Sequence, residues 1–449
     1  MIANDLKPEA DLGDVVGELR KLDVMVSLGG HPESLFVNAE LIVLSPGVPA
    51  DLAPLESARR AGIEIISEPE LAGRFLRGRM IGVTGSNGKT TVTTLVGELL
   101  RAAGVDVIVG GNIGTPLTSL IEASTEKTWT VAELSSFQLE MIDSLRVNVA
   151  IVTNITPDHL DRHGSFGDYV LAKYRIFKNQ TAEDWAVLNL DSQSVVEMVI
   201  ANGVPSKEVY FSCGGGLDPN RLNRGPAGIY VRDGRIWTTL VSEGASETEV
   251  MGLDEIPLRG LHNVENVMAA LAAVFCAIGA RAQYLPVLRD AVRRFKGVEH
   301  RIEYVAEIAG VKFYNDSKAT NVDSTVKALE AFERNIIVIL GGKDKGSDYT
   351  VLAPLIRNRV KQIILIGAAS DRIAGQLEGA GAMCRAKSMH DAVVKAMESA
   401  ASGDIVLLAP ACASFDMFDN YEHRGRVFKQ AVHDLASRAE SNIAGRLTT

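Results

Sequence analysis

Residues 81–91 read IGVTGSNGKTT, an apolar strand that enters a turn bracketed by Gly85 and Gly88 and leaves it through Lys-Thr-Thr into an amphipathic helix from Thr91 to Leu100. This arrangement limits what the chain can be, because loop amides and a helix N-terminus together form a cradle for polyphosphate. The glycines let the backbone approach phosphate, with Ser86 and Asn87 between them. Lys89 is long enough to reach the β and γ oxygens, and Thr90 or Thr91 offers a hydroxyl to Mg²⁺. The usual consensus has glycine where this chain has Val83. The competing explanation is an ordinary strand–helix turn. Glycines, lysine and two threonines in register with the strand argue against it, and a nucleoside triphosphate is the expected ligand.

Around this loop, apolar strands alternate with helical stretches, the pattern of mostly parallel sheets covered by helices. The first segment, 1–77, holds Val24–Leu28, Leu41–Leu44 and Ile63–Ile66. The second, 78–296, adds Val105–Val109, Trp129–Glu133 and Val147–Asn154 to the phosphate-loop strand. It also contains a hairpin at Gly228–Leu240 around Asp233-Gly234, and an alanine-rich helix at Asn263–Ile278. The third, 297–449, carries Ile336–Leu340, Ile363–Ile366 and Ile405–Leu408. Three α/β domains are expected, and 46% hydrophobic residues supply their cores. A net charge of −10 argues against sequence-independent nucleic-acid binding. The four cysteines are far apart and form no C-x-x-C pair, as expected in a reducing cytoplasm. The apolar stretch Val267–Ala280 is expected to be too short to span a bilayer. The polar, acidic start MIANDLKPEADL does not read as a signal peptide.

Strand TWTVAE ends in Glu133, where a carboxylate can hold Mg²⁺; a surface glutamate is the equal alternative. The next strand runs into His159, flanked by Asp158 and Asp161. Carboxyl ends of parallel strands share one edge, so Glu133, His159 and the phosphate loop are expected at one crevice. Lys173 lies in a helix, where a lysine is ordinarily solvated. Asn263 and Asn266, three apart on one helix face, could read an adenine edge, or Asn263 could simply cap the helix. In the third segment Arg301, Lys318 and Lys345 are cationic, while Asp316, Ser317, Thr320 and Ser414 offer carboxylate or hydroxyl. A solvated turn is the alternative for any one of them. Four such loops after apolar strands suggest a second anionic substrate beside the nucleotide.

In order along nearly the whole chain, TGSNGKTT, GGNIGTPL, AELSSFQLE, TPDHLDRHGSFGDYVLAK, GLHNVENV, HRIE, NDSKATN, LGGKDKG and APACASFDMFDNYEHRG resemble the Mur ligases of bacterial cell-wall synthesis. The phosphate loop and the Glu133 and His159 segments are similar to those of all Mur ligases and of folylpolyglutamate synthase. NDSKATN and ACASFDMF resemble the D-glutamate-adding branch in particular. The resemblance implies a Rossmann-like N-terminal domain, a central P-loop ATPase domain and a Rossmann-like C-terminal domain.

It further implies a cytoplasmic, monomeric, ATP-dependent ligase with no nucleic-acid or membrane partner. Its substrates would be UDP-N-acetylmuramoyl-L-alanine and D-glutamate. Residues Gly85 to Thr91 would wrap the phosphates, with Lys89 on them. Thr90 and Glu133 would hold one Mg²⁺ and His159 a second. Lys173 would react with CO₂ to give a carbamylated lysine serving that second ion, which requires a neutral amine and so a setting that lowers its pKa, as burial would. Asn263 and Asn266 would face adenine, and Arg301 and Asp316 the nucleotide. Asn112 and the LSPGVP segment from Ser45 would face the sugar nucleotide. Lys318, Thr320, Lys345, Ser414 and Tyr421 would form the D-glutamate pocket, Tyr421 standing where relatives often have Phe.

Relatives open with a strand and a G-x-G-x-S/T-G turn for the uridine diphosphate. This chain opens at what corresponds to their second strand, IANDLKPE, with Asp5 near its end. The first strand, its Gly-rich turn and the first helix are therefore expected to be missing, and a late start codon is the preferred explanation. The alternatives are a ligase-derived binding protein with an impaired sugar-nucleotide site, and a folylpolyglutamate synthase-like ligase.

Overall fold

A computed structural model describes residues 1–447 except 13–14, 46–47, 50, 159, 215–226, 242–246 and 345; for 161 and 438–447 it describes the backbone alone. The chain divides into two compact units. One comprises Met1–Ser86, Val105–Leu188 and Ser192–Glu208; the other comprises Asn87–Gly104, Asn189–Asp191 and Val209–Thr449.

In the first unit, two small parallel pairs form at the start of the chain: Ile2–Asp5 with Met25–Leu28, and Leu41–Leu44 with Glu64–Ser67. The strand expected at IANDLKPE is thus present and ends at Asp5. The main sheet of this unit is parallel, in the order Trp185–Asn189, Val149–Val152, Arg79–Thr84, Trp129–Glu133, Val107–Gly111. Its register sets Val83 beside Glu133 and Glu133 beside Gly111. The phosphate-loop strand and Glu133 therefore end on one edge, as parallel pairing requires. Met80, Ile81, Val83 and Val131 are buried, which a sheet covered on both faces demands.

Glu70 staples the short helix Glu68–Gly73 to the loop that precedes the strand Val149–Val152. Its carboxylate accepts from the backbone amides of Asp143 (2.8 Å), Ser144 (3.0 Å) and Leu145 (2.9 Å), and from Ser144 Oγ (2.6 Å). Burial works to raise its pKa, but the bonds from Ser144, Asp143 and Leu145 outweigh this and hold it at about 2. The folded value lies below the unfolded one, so the stabilisation is full above the ordinary glutamate range and is lost as pH falls through about 2. Glu70→Ala strands those amides and is expected to cost about 3 kcal/mol at neutral pH. The check is the denaturant midpoint of both proteins as a function of pH: the gap between them should close toward pH 2.

The second unit contains a six-stranded sheet in the order Glu303–Ile308, Val311–Asn315, Ile405–Leu408, Ile336–Gly341, Val360–Ile366, Met383–Arg385. Only the first pair is antiparallel. Val338, Leu340 and Leu407 pack into the core on one face; Ile337, Ile339, Val406 and Leu408 pack on the other. The period of two along each strand thus feeds two apolar layers. The segments after Asn315, Leu408 and Gly341 leave from the same edge, since Asn315 and Ile339 both pair with Leu408.

Elsewhere in this unit Gly228–Arg232 pairs antiparallel with Arg235–Thr238 across Asp233 and Gly234, both with positive φ, as a tight two-residue hairpin needs. The helix Leu261–Ile278 packs beside the phosphate-loop helix Lys89–Ala102. By length and composition that helix could cross a membrane, against the expectation for Val267–Ala280, but Val267–Phe275 are all within 1% of complete burial. It is the core helix of this unit.

Candidate active site

In the first unit the strand Arg79–Thr84 delivers Gly85 with φ +142°, where a Cβ would lie 2.0 Å from Thr153 Oγ1. Only glycine fits there. Ser86 follows: its amide donates to the Asn154 carbonyl (2.8 Å), and its hydroxyl donates to the Thr156 carbonyl (2.9 Å) and lies 3.0 Å from Tyr169 Oη. Lys173 is 1% exposed, so the solvated role ordinary for a helical lysine does not hold here. Its Nζ donates to the Gly85 carbonyl at 2.8 Å and sits 4.4 Å from the centre of the Tyr169 ring.

Glu133, 2% exposed, is not the surface residue of the alternative explanation. Its Oε1 accepts from Asn112 Nδ2 at 3.1 Å, while its Oε2 is buried and, among the described residues, meets no hydrogen-bond donor. A hard divalent cation suits such an oxygen, so the site fits Mg²⁺. Asn112, foreseen on the sugar substrate, is therefore also tied to this carboxylate. Ser45 is exposed and lines a small cavity with Leu44, Ser67, Phe137, Met141 and Arg162.

In the second unit Gly88, at φ +85°, precedes the helix, which starts at Lys89 rather than at Thr91. A Cβ on Gly88 would come within 2.3 Å of Asn266 Oδ1. Asn266 Nδ2 donates to Asn263 Oδ1 (3.1 Å), and Asn263 Nδ2 donates to the Arg259 carbonyl (2.7 Å). The position that caps this helix is Gly260, so Asn263 is not its cap. Lys89 is half-buried, and Thr90 and Thr91 are buried. The Thr90 hydroxyl accepts from Arg301 Nη2 at 3.1 Å, and Arg301 Nε is buried without an acceptor among the described residues. Asp316 is buried; burial raises its pKa to about 7 against the pull of Arg301, the Ile302 amide and Arg424.

Lys318 places its Nζ 3.9 Å over the ring of Tyr421, whose edge also meets His300. Tyr421 in place of Phe thus keeps an aromatic face for the cation. The Thr320 amide donates to the Lys318 carbonyl at 2.7 Å, and Ser414 is 2% exposed. Beneath these loops Arg424, 1% exposed, donates from Nε and Nη2 to the Ser317 hydroxyl and carbonyl and from Nη1 to the Cys412 carbonyl. Burial lowers its pKa to about 10. Neither Arg424 nor Tyr169 was foreseen from the sequence, although both lie inside motifs that carried the resemblance. His159 and Lys345 lie outside the described residues.

Three family models match in order: the Mur ligase MurD-like N-terminal domain over residues 11–67, the Mur ligase middle domain over 83–274, and the Mur ligase glutamate ligase domain over 300–412. The UDP-N-acetylmuramoylalanine–D-glutamate ligase of Koribacter versatilis is 47% identical over 97% of this chain and 92% of its own length. The chain belongs to the UDP-N-acetylmuramoylalanine–D-glutamate ligases. The ligase of the same name from Acidobacterium capsulatum is 48% identical over 96% of this chain and 90% of its own. At the level of fold, the chain is similar to a pseudomurein peptide ligase type C of Methanothermus fervidus, with TM-score 0.60, 18% identity, and coverage of 97% and 94% of the two chains. It is also similar to a UDP-N-acetylmuramate-alanine ligase of Thermotoga maritima, with TM-score 0.59, 18% identity, and coverage of 96% and 93%. The three-domain Mur ligase fold expected from the sequence is the one these matches share.

Proposed function

We propose that the chain uses ATP to join D-glutamate to UDP-N-acetylmuramoyl-L-alanine, as a cytoplasmic step in peptidoglycan precursor synthesis. The observation that carries this is identity of 47% and 48% to ligases of that name across nearly the whole chain. The proposed domains are 1–77 for the sugar nucleotide, 78–296 for ATP and 297–449 for D-glutamate. The working form is a monomer with neither nucleic acid nor membrane as partner.

The alanyl carboxylate attacks the γ-phosphate of ATP, which breaks its bond to ADP and gives an acyl phosphate; the D-glutamate amine then attacks that carbonyl and loses a proton, and phosphate leaves. Two anions must meet in the first step, so positive charge has to be in place beforehand. Lys89 and the loop Gly85–Thr91 supply part of it. Thr90, Glu133, His159 and a carbamylated Lys173 would hold two Mg²⁺ ions, which supply the remaining neutralisation. Buried Lys173 and the open Glu133 oxygen support that reading. Asn263 and Asn266 hold adenine; Arg301 and Asp316 hold the rest of the nucleotide; Ser45 and Asn112 meet the sugar nucleotide. Lys318 on its Tyr421 platform, with Thr320, Lys345 and Ser414, binds the carboxylates of D-glutamate.

The test is phosphate release by the purified chain with ATP and Mg²⁺. Release should require both UDP-N-acetylmuramoyl-L-alanine and D-glutamate, and the L enantiomer should be a much poorer substrate. Cations and hydroxyls that fix both carboxylates leave only one enantiomer with its amine on the acyl phosphate. Equal use of the two enantiomers, or turnover of a folate, overturns the assignment.

A further inference from the structure

Within the second unit, a cluster of side chains ties the phosphate loop to the helix that follows the Lys318–Thr320 segment. Asn87 Nδ2 donates to Asp323 Oδ2, and Asn87 Oδ1 accepts from Ser324 Oγ at 3.0 Å. Asp323 and Ser324 open the helix Val322–Glu330, whose capping residue Asn321 accepts from the Ser324 amide at 2.8 Å. A carboxylate only accepts and a hydroxyl can donate, so this pair fixes which end of the Asn87 amide faces each partner. Close by in the chain, Arg301 Nη2 donates to Thr90 Oγ1 at 3.1 Å. Asn87 in the phosphate loop and Thr90 in the helix that follows it are thus both held by side chains from the third segment of the sequence.

We infer that Asp323 and Ser324 are positioning residues for the phosphate loop, acting through Asn87. The inference rests on the reading of residues 85–91 as the ATP loop. Asn87 lies between two glycines with positive φ, the part of the loop with the most backbone freedom to lose. A loop clamped before the nucleotide arrives has already met that ordering cost, so ATP binds it more tightly. The clamp also links ATP affinity to the segment carrying Lys318 and Thr320, because the same helix start holds Asn87 and ends that segment. Neither Asp323 nor Ser324 touches the reacting atoms in this scheme. Their effect should therefore fall on KM for ATP rather than on KM for the sugar nucleotide.

The experiment is a double-mutant cycle of Asn87→Ala and Asp323→Ala in the full chain, read as KM for ATP, KM for UDP-N-acetylmuramoyl-L-alanine, and Tm. Each single change is expected to raise KM for ATP about tenfold, the scale of one hydrogen bond to a charged group. The double variant should be no worse than the weaker-binding single, since both remove the same bond. Asp323→Asn keeps an acceptor oxygen and should restore most of the affinity, with Tm and KM for the sugar nucleotide unchanged. An unaltered KM for ATP in Asp323→Ala overturns the inference, as do effects that multiply in the double variant. Lys89→Ala, measured alongside, separates the two ideas. If Lys89→Ala is inactive and Asp323→Ala is normal, only the positioning role fails. If Lys89→Ala retains near-normal turnover, the ATP-loop reading fails and the inference fails with it.

Discussion

Lys173→Ala is expected to lose turnover by about a thousandfold or more, the several kcal/mol that charge stabilisation around a metal site supplies. The buried amine donates to the Gly85 carbonyl and lies against the Tyr169 ring. Both neighbours favour a positive group, so this arrangement suits the unmodified amine. Reaction with CO₂ forms a bond from the neutral amine nitrogen to carbon and releases a proton. The carbamate nitrogen keeps one hydrogen and can still donate to Gly85, while its new carboxyl group has to turn away from the Tyr169 face. That change from cation to anion is what the proposed metal role requires. Acetate or formate should restore part of the activity of Lys173→Ala by occupying the vacated anion position. Lys173→Arg should not be rescued, because a permanent cation fills the space. Full activity of Lys173→Ala without added carboxylate removes the carbamate from the mechanism and leaves the Glu133 assignment to be tested separately.

The helix around Lys173 shows where sequence reasoning stops. Residue type alone put Lys173 on the surface, yet Phe166–Tyr174 buries Tyr169, Ala172 and Lys173, a spacing of three and four that marks one helix face. The periodicity is present in the sequence, but a lysine's charge points the other way. By contrast, the phosphate loop was legible almost completely, because its glycines are required by backbone geometry and carry their own signal. Only the helix start differed. Gly88 takes the left-handed conformation at the cap position, so Lys89 is already helical.

The strand pair Glu303–Ile308 and Val311–Asn315 was not foreseen. Its two-residue turn is Ala309-Gly310, both at positive φ, and an alanine there lacks the Asn-Gly signature that usually betrays a hairpin. Connections made by single side chains were hidden for a different reason. The bond from Asn112 to Glu133, the Glu70 staple and the Asn87–Asp323 pair join residues that are distant in sequence and ordinary in composition. Only the fold brings them together, whereas the strands themselves followed from local apolar runs.

Lys89→Ala is expected to abolish acyl-phosphate formation, with phosphate release falling by about a thousandfold or more, because phosphoryl transfer depends on positioned charge rather than on covalent help from the protein. Lys89 is the first residue of its helix, half-buried, while the packing of that helix rests on Val92, Leu95, Val96 and Leu99, all fully buried. Alanine is a better helix former than lysine, so the substitution should leave the fold and Tm essentially unchanged. Lys89→Arg keeps the charge but spreads it over a planar fork beside a loop closed by two glycines, and should recover only a small part of the rate. Single-turnover measurement of the acyl phosphate separates the two steps. Loss at Lys89 should appear before the amine of D-glutamate is needed, and adding more D-glutamate should not relieve it. Near-normal acyl-phosphate formation by a folded Lys89→Ala protein would remove the phosphate-loop assignment, and with it the role given to Thr90.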